Sequence, residues 1–534
     1  MTDRITLAAD TNQALGIADY AIEFMKSGSP SDTVLAQTNR FYTDACLCGL
    51  SALALGTNAP TILRAEALEY PAGDRAGATV FGSSTPVKAE KAIAANASAM
   101  REWDSNGTNF GFRPELGHTA GEFGHNDFYG VPIAAAQIMG LDGATALKGM
   151  VLLDEIRGRL AEVFSLKTYK IDHVVHGAIA SAATFGAMLG ATAEQIESAI
   201  GMTVAHYIPF RAIRAGKQLS DSKGASAAIS TEAAILSVKR SMAGFLGPRD
   251  IFRNPEAIFR LFEGPGEMLT TAKRAVAGWK PSASADSSPF ALVLSNGGDD
   301  FAVMGMHFKL GLYEHQSAGA LQAAIDLIAA HPELLADRGS RIKHIRIAAY
   351  EPAFGIIGDP AKKDPRTRQS ADHSMAYIVA TLIRKAIESR PDFPATPTDS
   401  NTQWWKELIL TPHDYAGDAL FNPLTRELMG KIDFVHGGLD YDAKYPDGIP
   451  TSMVITAADG TEHDSSLVMY PGGHARNTTA RLDEILANKS RVLGAIAFDD
   501  PAPVIARFDD LGARSASDVA SIHDFTYKTH GAFE

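Results

Sequence analysis

Cysteine is nearly absent from this 534-residue chain: only Cys46 and Cys48 occur. Their C-x-C spacing would strain a mutual bond and leaves no partner for any other, so a disulfide framework is excluded and a reducing compartment is expected. An iron–sulfur cluster of the usual kind needs three or four thiolates, which two cysteines do not supply. Long hydrophobic runs are missing too, and no window reaches membrane-spanning length. Positive charge is in deficit, with 49 Lys and Arg against 62 Asp and Glu and a net charge of -13. A nucleic-acid partner, which would call for a basic domain or stripe, is therefore not expected. From Met1 to Asp19 the chain carries Asp3, Asp10 and Asp19 and has neither a continuous apolar stretch nor an Arg-rich pattern, so the expected location is the cytoplasm. Low-complexity tracts and internal repeats are also lacking.

What is present suits a soluble enzyme of small molecules. The length exceeds the roughly 250 to 300 residues at which single cores stop growing, so more than one domain is expected. From residue 12 to about 275 the pattern is helical. Leu152, Ile156, Leu160 and Val163 recur at helical spacing among Asp154, Glu155, Arg157 and Arg159. Thr192 and Gln195 have the form of a capping box. The segment from Ala178 to Leu189 is so uniformly small and apolar that it is expected to be buried on several sides. Beyond the Ser/Gly/Asp-rich stretch from Ser282 to Asp300, strands enter. His344 to Ile347 alternates, and Met453 to Thr456, the Asp459-Gly460 turn and Leu467 to Met469 read as a hairpin. Ser317 to Ala330 reads as a helix closed by Pro332, and from about Thr478 a helical pattern returns. The expected fold is mainly α: a large all-α helical domain of residues 1–295 and 475–534, plus a smaller α+β domain of residues 296–474.

Several polar groupings carry possible chemistry. Lys223 stands where an alanine-rich helix is about to begin, and Arg211, Arg214 and Lys217 precede it against a single carboxylate, Asp221. That local excess of cations suits an anionic ligand, although solvated cations at the mouth of a helix are an equal reading. Asp104 and Thr108 lie four residues apart, one turn if the segment is helical, and are more often a helix-start device than a site. His125 sits where a polar loop runs into the apolar stretch from Val131 to Ala134, a place for an acid or base near neutral pH or simply a surface loop. His173 and His176 are spaced i, i+3 without the glutamate of a zinc-hydrolase helix, so no metal site is expected there. His315 opens the helix that follows the domain boundary, where a carboxylate would be favoured. Asp372-His373-Ser374 reads as another helix start, with Tyr377 beyond it.

Taken in succession, these pieces resemble the MmgE/PrpD family over nearly the whole chain. The resemblance rests on Trp103-Asp104 with Thr108, on His125 with Pro132 seven residues on, and on Asp172-His173. It continues through Lys223-Gly224 with the run from Gly244 to Pro248, Phe308-Lys309 leading to His315-Gln316-Ser317, Ala371 to Ser374 with Tyr377, and the run from Gly473 to Asn477. The order and spacing are specific although each piece is short. The resemblance implies a large helical domain plus a smaller α+β domain in a homodimer, with the active site in the cleft between them.

By the same resemblance that cleft is lined by Asp104, Thr108, His125, His173, Lys223, His315 and Tyr377. The implied activity is that of a metal-independent, cofactor-free hydro-lyase acting on a citrate-type tricarboxylate such as 2-methylcitrate or another alkylcitrate. Removing a weakly acidic C–H beside a carboxylate builds negative charge that cations or donors must meet, and Lys223 with the histidines fits that need. Asp104 or a neutral histidine takes the proton; a protonated histidine, Lys223 or Tyr377 gives one to the departing hydroxyl. Arg211, Arg214 and Lys217 are candidates, from charge alone, for holding distal carboxylates. Decarboxylation of cis-aconitate and epimerisation of an iminodisuccinate-like acid use the same handling of charge and stand as alternatives. The segment from Asn109 to Gly124, with Arg113, His118 and Glu122, is longer than the family pattern, and Ser222 and Ala376 depart from it, which puts substrate identity in question.

Overall fold

The computed structural model describes residues 4–214, 218–261, 287–389 and 397–533. The capping box is formed as expected: the Thr192 hydroxyl accepts from the Gln195 amide while the Gln195 side chain accepts from the Thr192 amide, which starts helix Ala193–His206. Helix Val174–Met188 is buried along almost its whole length. Its Gly177, Ala178, Ala182 and Ala183 project too little to hold neighbours away, and helices Gly143–Val163, Ala193–His206 and Ser222–Met242 close around it. Cys46 and Cys48 are buried and free in helix Asp32–Ala54. Among the described residues no single helix is long and apolar enough to cross a membrane.

The chain stays with this helical body up to residue 300. Strand Leu292–Ser295 pairs antiparallel with Arg4–Leu7, and Gly297–Gly298 pairs parallel with Ser29–Pro30. Asp300 then meets Arg4 at 2.6 Å, Arg159 at 3.1 Å and Arg113 at 3.4 Å. Residues 282–286 of the expected boundary stretch lie outside the described residues. The second body holds a four-stranded sheet in the order Glu462–Asp464, Thr451–Ala457, Ile342–Ala349, Ile432–His436, with only the last pair parallel. Helices Ala318–Ala330 and Met375–Ser389 pack in this body. The chain is mainly α, as its periodicity implies.

The hairpin differs from expectation in one strand. Thr451–Ala457 turns at Asp459-Gly460 and pairs with Glu462–Asp464, not with residues 467–469. Gly460 has a φ of +90°, and the Ala457 amide bonds to the Thr461 carbonyl, so the turn closes tightly and pairing begins at Glu462, ahead of the expected strand. Val468 returns only as an isolated bridge to Thr451. From Leu482 the chain rejoins the helical body, with helix Leu482–Ala497 against Asp32–Ala54. Its buried Lys489 pairs with Asp44 at 2.7 Å and donates to the carbonyls of Ser105 at 2.6 Å and Lys309 at 2.8 Å. One lysine thus ties together the two loops that carry Asp104 and Lys309.

Two buried histidines of the framework set an expected pH response. His176 lies 2.9 Å from the Phe164 carbonyl and His523 2.9 Å from that of Thr79, and burial pushes both down to about 4. Below the ordinary histidine pKa of about 6.5 the unfolded chain takes up these protons and the folded chain does not, so stability falls with falling pH. The midpoint of denaturant unfolding is expected to change little from pH 8 to 7 and to drop steadily between pH 6.5 and 4. A midpoint that held constant down to pH 4.5 would contradict the buried neutral state of these rings.

Candidate active site

Asp104 is the hub of a buried set of charges. Helix Ala89–Glu102 ends where Trp103 turns extended, with its indole N–H on the Ser51 hydroxyl at 2.9 Å. Asp104 therefore follows a helix, and Thr108 begins a strand, so the pair does not share a helical turn. The Asp104 carboxylate faces Arg101 at 3.3 Å, His373 Nε2 at 3.3 Å and the Lys309 ammonium. Burial alone would raise its pKa, but Arg101, Lys309 and His373 outweigh burial and hold the carboxyl well below its usual range.

Lys223 is the second residue of helix Ser222–Met242 and is wholly buried. A cation at a helix N-terminus opposes the helix dipole, and here the Asp372 carboxylate offsets it with bonds of 2.8 and 2.9 Å. The same carboxylate lies 2.7 Å from His373 Nδ1. His373 therefore bridges Asp372 and Asp104, and burial together with Lys223 pushes it down to about 4. Helix capping is left to Ser374, whose hydroxyl accepts from the Tyr377 amide.

Beside this hub runs a cleft lined by residues distant from one another in the chain. Arg101, Asp104, Phe123, His125, His173, Arg211 and Arg214 line it together with Glu314, Gln316, Ile356, Ile357, Lys362 and His373. His125 ends the short ladder of Thr108–Phe110 with Phe123–His125, and His173 stands at the head of helix Val174–Met188. Their rings lie edge to face with centroids 5.2 Å apart. Burial keeps both rings neutral by pushing them well below the ordinary histidine range, with Arg101 and Lys309 adding to the effect on His125. Among the described residues, Nδ1 of His125 and both ring nitrogens of His173 are buried without a hydrogen-bond partner. Asp172 holds Arg214 in an ion pair and stands 3.5 Å from His173 Nδ1, beyond good bonding distance. The cleft encloses only about 40 Å³ as it stands, room for about one water, so a larger ligand requires its walls to part.

The structure brings Asp104, His125, His173, Arg211 and Arg214 together along this cleft, with Lys223 one residue behind, against His373. It does not bring Thr108, His315 or Tyr377 to the lining. The Thr108 hydroxyl donates to the Gly124 carbonyl at 3.1 Å, the Tyr377 hydroxyl to the Asp414 carbonyl at 2.7 Å, and His315 packs with its ring 5.0 Å from that of His307. Lys217 lies outside the described residues. The long segment from Asn109 to Gly124 folds back over helix Gly143–Val163, where Arg113 and His118 meet Glu162 at 3.1 and 3.5 Å. His118 stays beside Glu162 and away from the cleft lining, while Phe123 and His125 at the end of the segment reach the cleft.

Arg101, Glu314, Lys362 and the role of His373 were not singled out by sequence reasoning. Only Asp372-His373 carried a visible signal, and capping explained it equally well. Asp104, Asp372 and His373 place ligand atoms within 4.8 Å of one another, the kind of spacing that can hold a metal ion. Their oxygens already face Lys223, Lys309 and Arg101, so a dication there would meet three cations.

The MmgE/PrpD N-terminal domain profile matches residues 16–269, and the MmgE/PrpD C-terminal domain profile matches residues 315–393. The chain belongs to the MmgE/PrpD family. Kinship places it among enzymes, as a dehydratase-like lyase. It is 26% identical over 490 residues to 2-methylcitrate dehydratase of Cupriavidus necator, covering 88% of this chain and 87% of that one. It is 23% identical to the probable 2-methylcitrate dehydratase of Saccharomyces cerevisiae, over 86% of this chain and 81% of that one. Alkylcitrate dehydratase phiI of a fungal species is 24% identical, over 67% of this chain and 62% of that one. Against this MmgE/PrpD background, two features of the cleft stand out: the cations Arg101, Arg211, Arg214 and Lys362 in its lining, and the pair of neutral imidazoles among them.

Proposed function

We propose that this chain eliminates water from a 2-hydroxy tricarboxylate of the alkylcitrate type, 2-methylcitrate being the first candidate, without a metal ion. The observation that carries the reading is the pair of buried imidazoles with unspent nitrogens among the arginines and lysine of the cleft lining. Buried polar nitrogens are costly unless something bonds to them, and a ligand in the cleft would do so. A tricarboxylate suits this lining because Arg101, Arg211, Arg214 and Lys362 outnumber the lining carboxylates of Asp104 and Glu314.

Elimination requires a base at the carbon beside a carboxylate. His173, held neutral and free at both nitrogens, is the group this reading assigns. As the C–H proton moves to the imidazole, its bonding pair forms the C=C bond, the C–O bond breaks, and the hydroxyl leaves as water with a proton from a second donor. Glu314 fits the donor role, since burial and the nearby Asp104 push its carboxyl up to about 7, so that a proton is present near neutral pH. Charge that builds on the carboxylate during proton removal is met by the fixed cations of the lining. The names of the relatives support citrate-type dehydration over the alternatives.

The test is product analysis on chelator-treated protein given 2-methylcitrate, citrate and cis-aconitate separately. Expected is an unsaturated tricarboxylate from 2-methylcitrate, seen by ultraviolet absorbance and mass spectrometry. Carbon dioxide released from cis-aconitate without turnover of 2-methylcitrate would replace dehydration by decarboxylation. Activity restored only by added metal would remove the metal-independent part.

A further inference from the structure

A second group of candidate ligands lies in the α+β body, apart from the cleft. His331 follows helix Ala318–Ala330, Glu333 sits in the short helical turn that Pro332 begins, and His463 is the central residue of the edge strand Glu462–Asp464. One nitrogen from each imidazole and one carboxylate oxygen lie within 4.8 Å of one another. His331 Nδ1 and Glu333 Oε1 are 3.3 Å apart, and the two imidazole centroids are 4.0 Å apart with their planes tilted by 45°. None of the three lines the cleft.

We propose that His331, Glu333 and His463 form a binding site for a zinc-class divalent transition metal ion. The donor set suits such an ion: imidazole nitrogen and carboxylate oxygen are ligands of borderline metals, while calcium and magnesium take oxygen alone. The spacing fits as well. Tetrahedral zinc bonds of about 2.0–2.1 Å put neighbouring donor atoms about 3.3 Å apart, which the His331–Glu333 pair already matches. Small rotations about the side-chain torsions of His463 close the remaining gap, because His463 is only half-buried and its strand is at the sheet edge. Three protein ligands leave a fourth position for water. The bound ion clamps the end of helix Ala318–Ala330 to the edge strand and so fixes the helix layer over the sheet. The side chains of His331 and Glu333 are 36% and 65% exposed, so an ion reaches them from solvent without unfolding.

The experiment titrates Zn2+ by calorimetry into the full chain after chelator dialysis, with Co2+ absorption as a second readout of nitrogen coordination. Expected is one equivalent of Zn2+, a visible Co2+ d–d band, and affinity lowered at least about tenfold in both His463→Ala and Glu333→Gln. Unfolding in chelator should be the same for parent and variants, since the ion is then absent from all of them. Unchanged Zn2+ affinity in the His331→Ala/His463→Ala chain, or no Zn2+ uptake by the parent, overturns the site. Glu333→Gln differs from the parent by one oxygen and keeps the test valid should either histidine substitution disturb folding.

Discussion

Replacing Lys223 by Met is expected to remove roughly 3–5 kcal/mol of stability, the usual result of deleting one partner of a buried ion pair. Lys223 and Asp372 are both wholly buried, and the lysine reaches both carboxylate oxygens. Methionine nearly matches the volume and removes the charge, so Asp372 is left without its main counter-ion. The consequences extend to catalysis. His373 is fixed between Asp372 and Asp104, and a carboxylate that protonates or shifts releases that ring into the cleft. Two measurements separate the effects. Denaturant unfolding of Lys223→Met should show the loss, and the double variant Lys223→Met/Asp372→Leu, which buries no lone charge, should regain most of it. Turnover should stay abolished in both. A single variant with the parent's unfolding midpoint would mean that Asp372 is held by something other than Lys223.

The parts of this molecule that were legible in its sequence are those set by local pattern. Thr192 and Gln195 announced their helix because a capping box lies within four residues. The apolar stretch after Ala178 announced a central helix because its composition leaves no polar face to expose. His125 and His173 became visible through the order of short motifs. The rest depends on contacts between residues far apart in the chain. Lys223 meets Asp372, Lys309 meets Asp104, and Arg368 meets Glu102, each across more than a hundred residues, so no local window shows the partner. Arg101 sits in an alanine-rich helix and reads there as an ordinary surface cation, yet it is buried against Asp104 and Asp127. Thr108 and Tyr377 are site residues by the family resemblance alone, and the fold spends both hydroxyls on backbone carbonyls. The strand that forms the hairpin with Thr451–Ala457 is only three residues long and polar, and so carried no alternation to read.

His173→Ala is the substitution expected to separate chemistry from folding most cleanly. Its ring nitrogens bond to nothing among the described residues, so no internal hydrogen bond is lost with the side chain. The edge-to-face contacts with His125 and Phe123, at 5.2 and 6.4 Å between centroids, are the packing that goes. Stability should therefore change far less than in Lys223→Met. Turnover should fall by about 10²–10⁴-fold, the usual contribution of a positioned general base. Added imidazole should restore part of it by entering the space left. The pH profile adds an independent check. Burial and the neighbouring arginines, against Asp172, hold His173 neutral well below the ordinary histidine range, so its titration puts no limb near pH 6.5. The limb expected near neutrality is that of Glu314, pushed up to about 7, on the side where loss of its proton lowers the rate as pH rises. Glu314→Gln should lose that limb, and parent and His173→Ala should both keep it. A His173→Ala chain that turned over at the parent rate would take the base out of His173's hands and pass the assignment to His125 or Asp104.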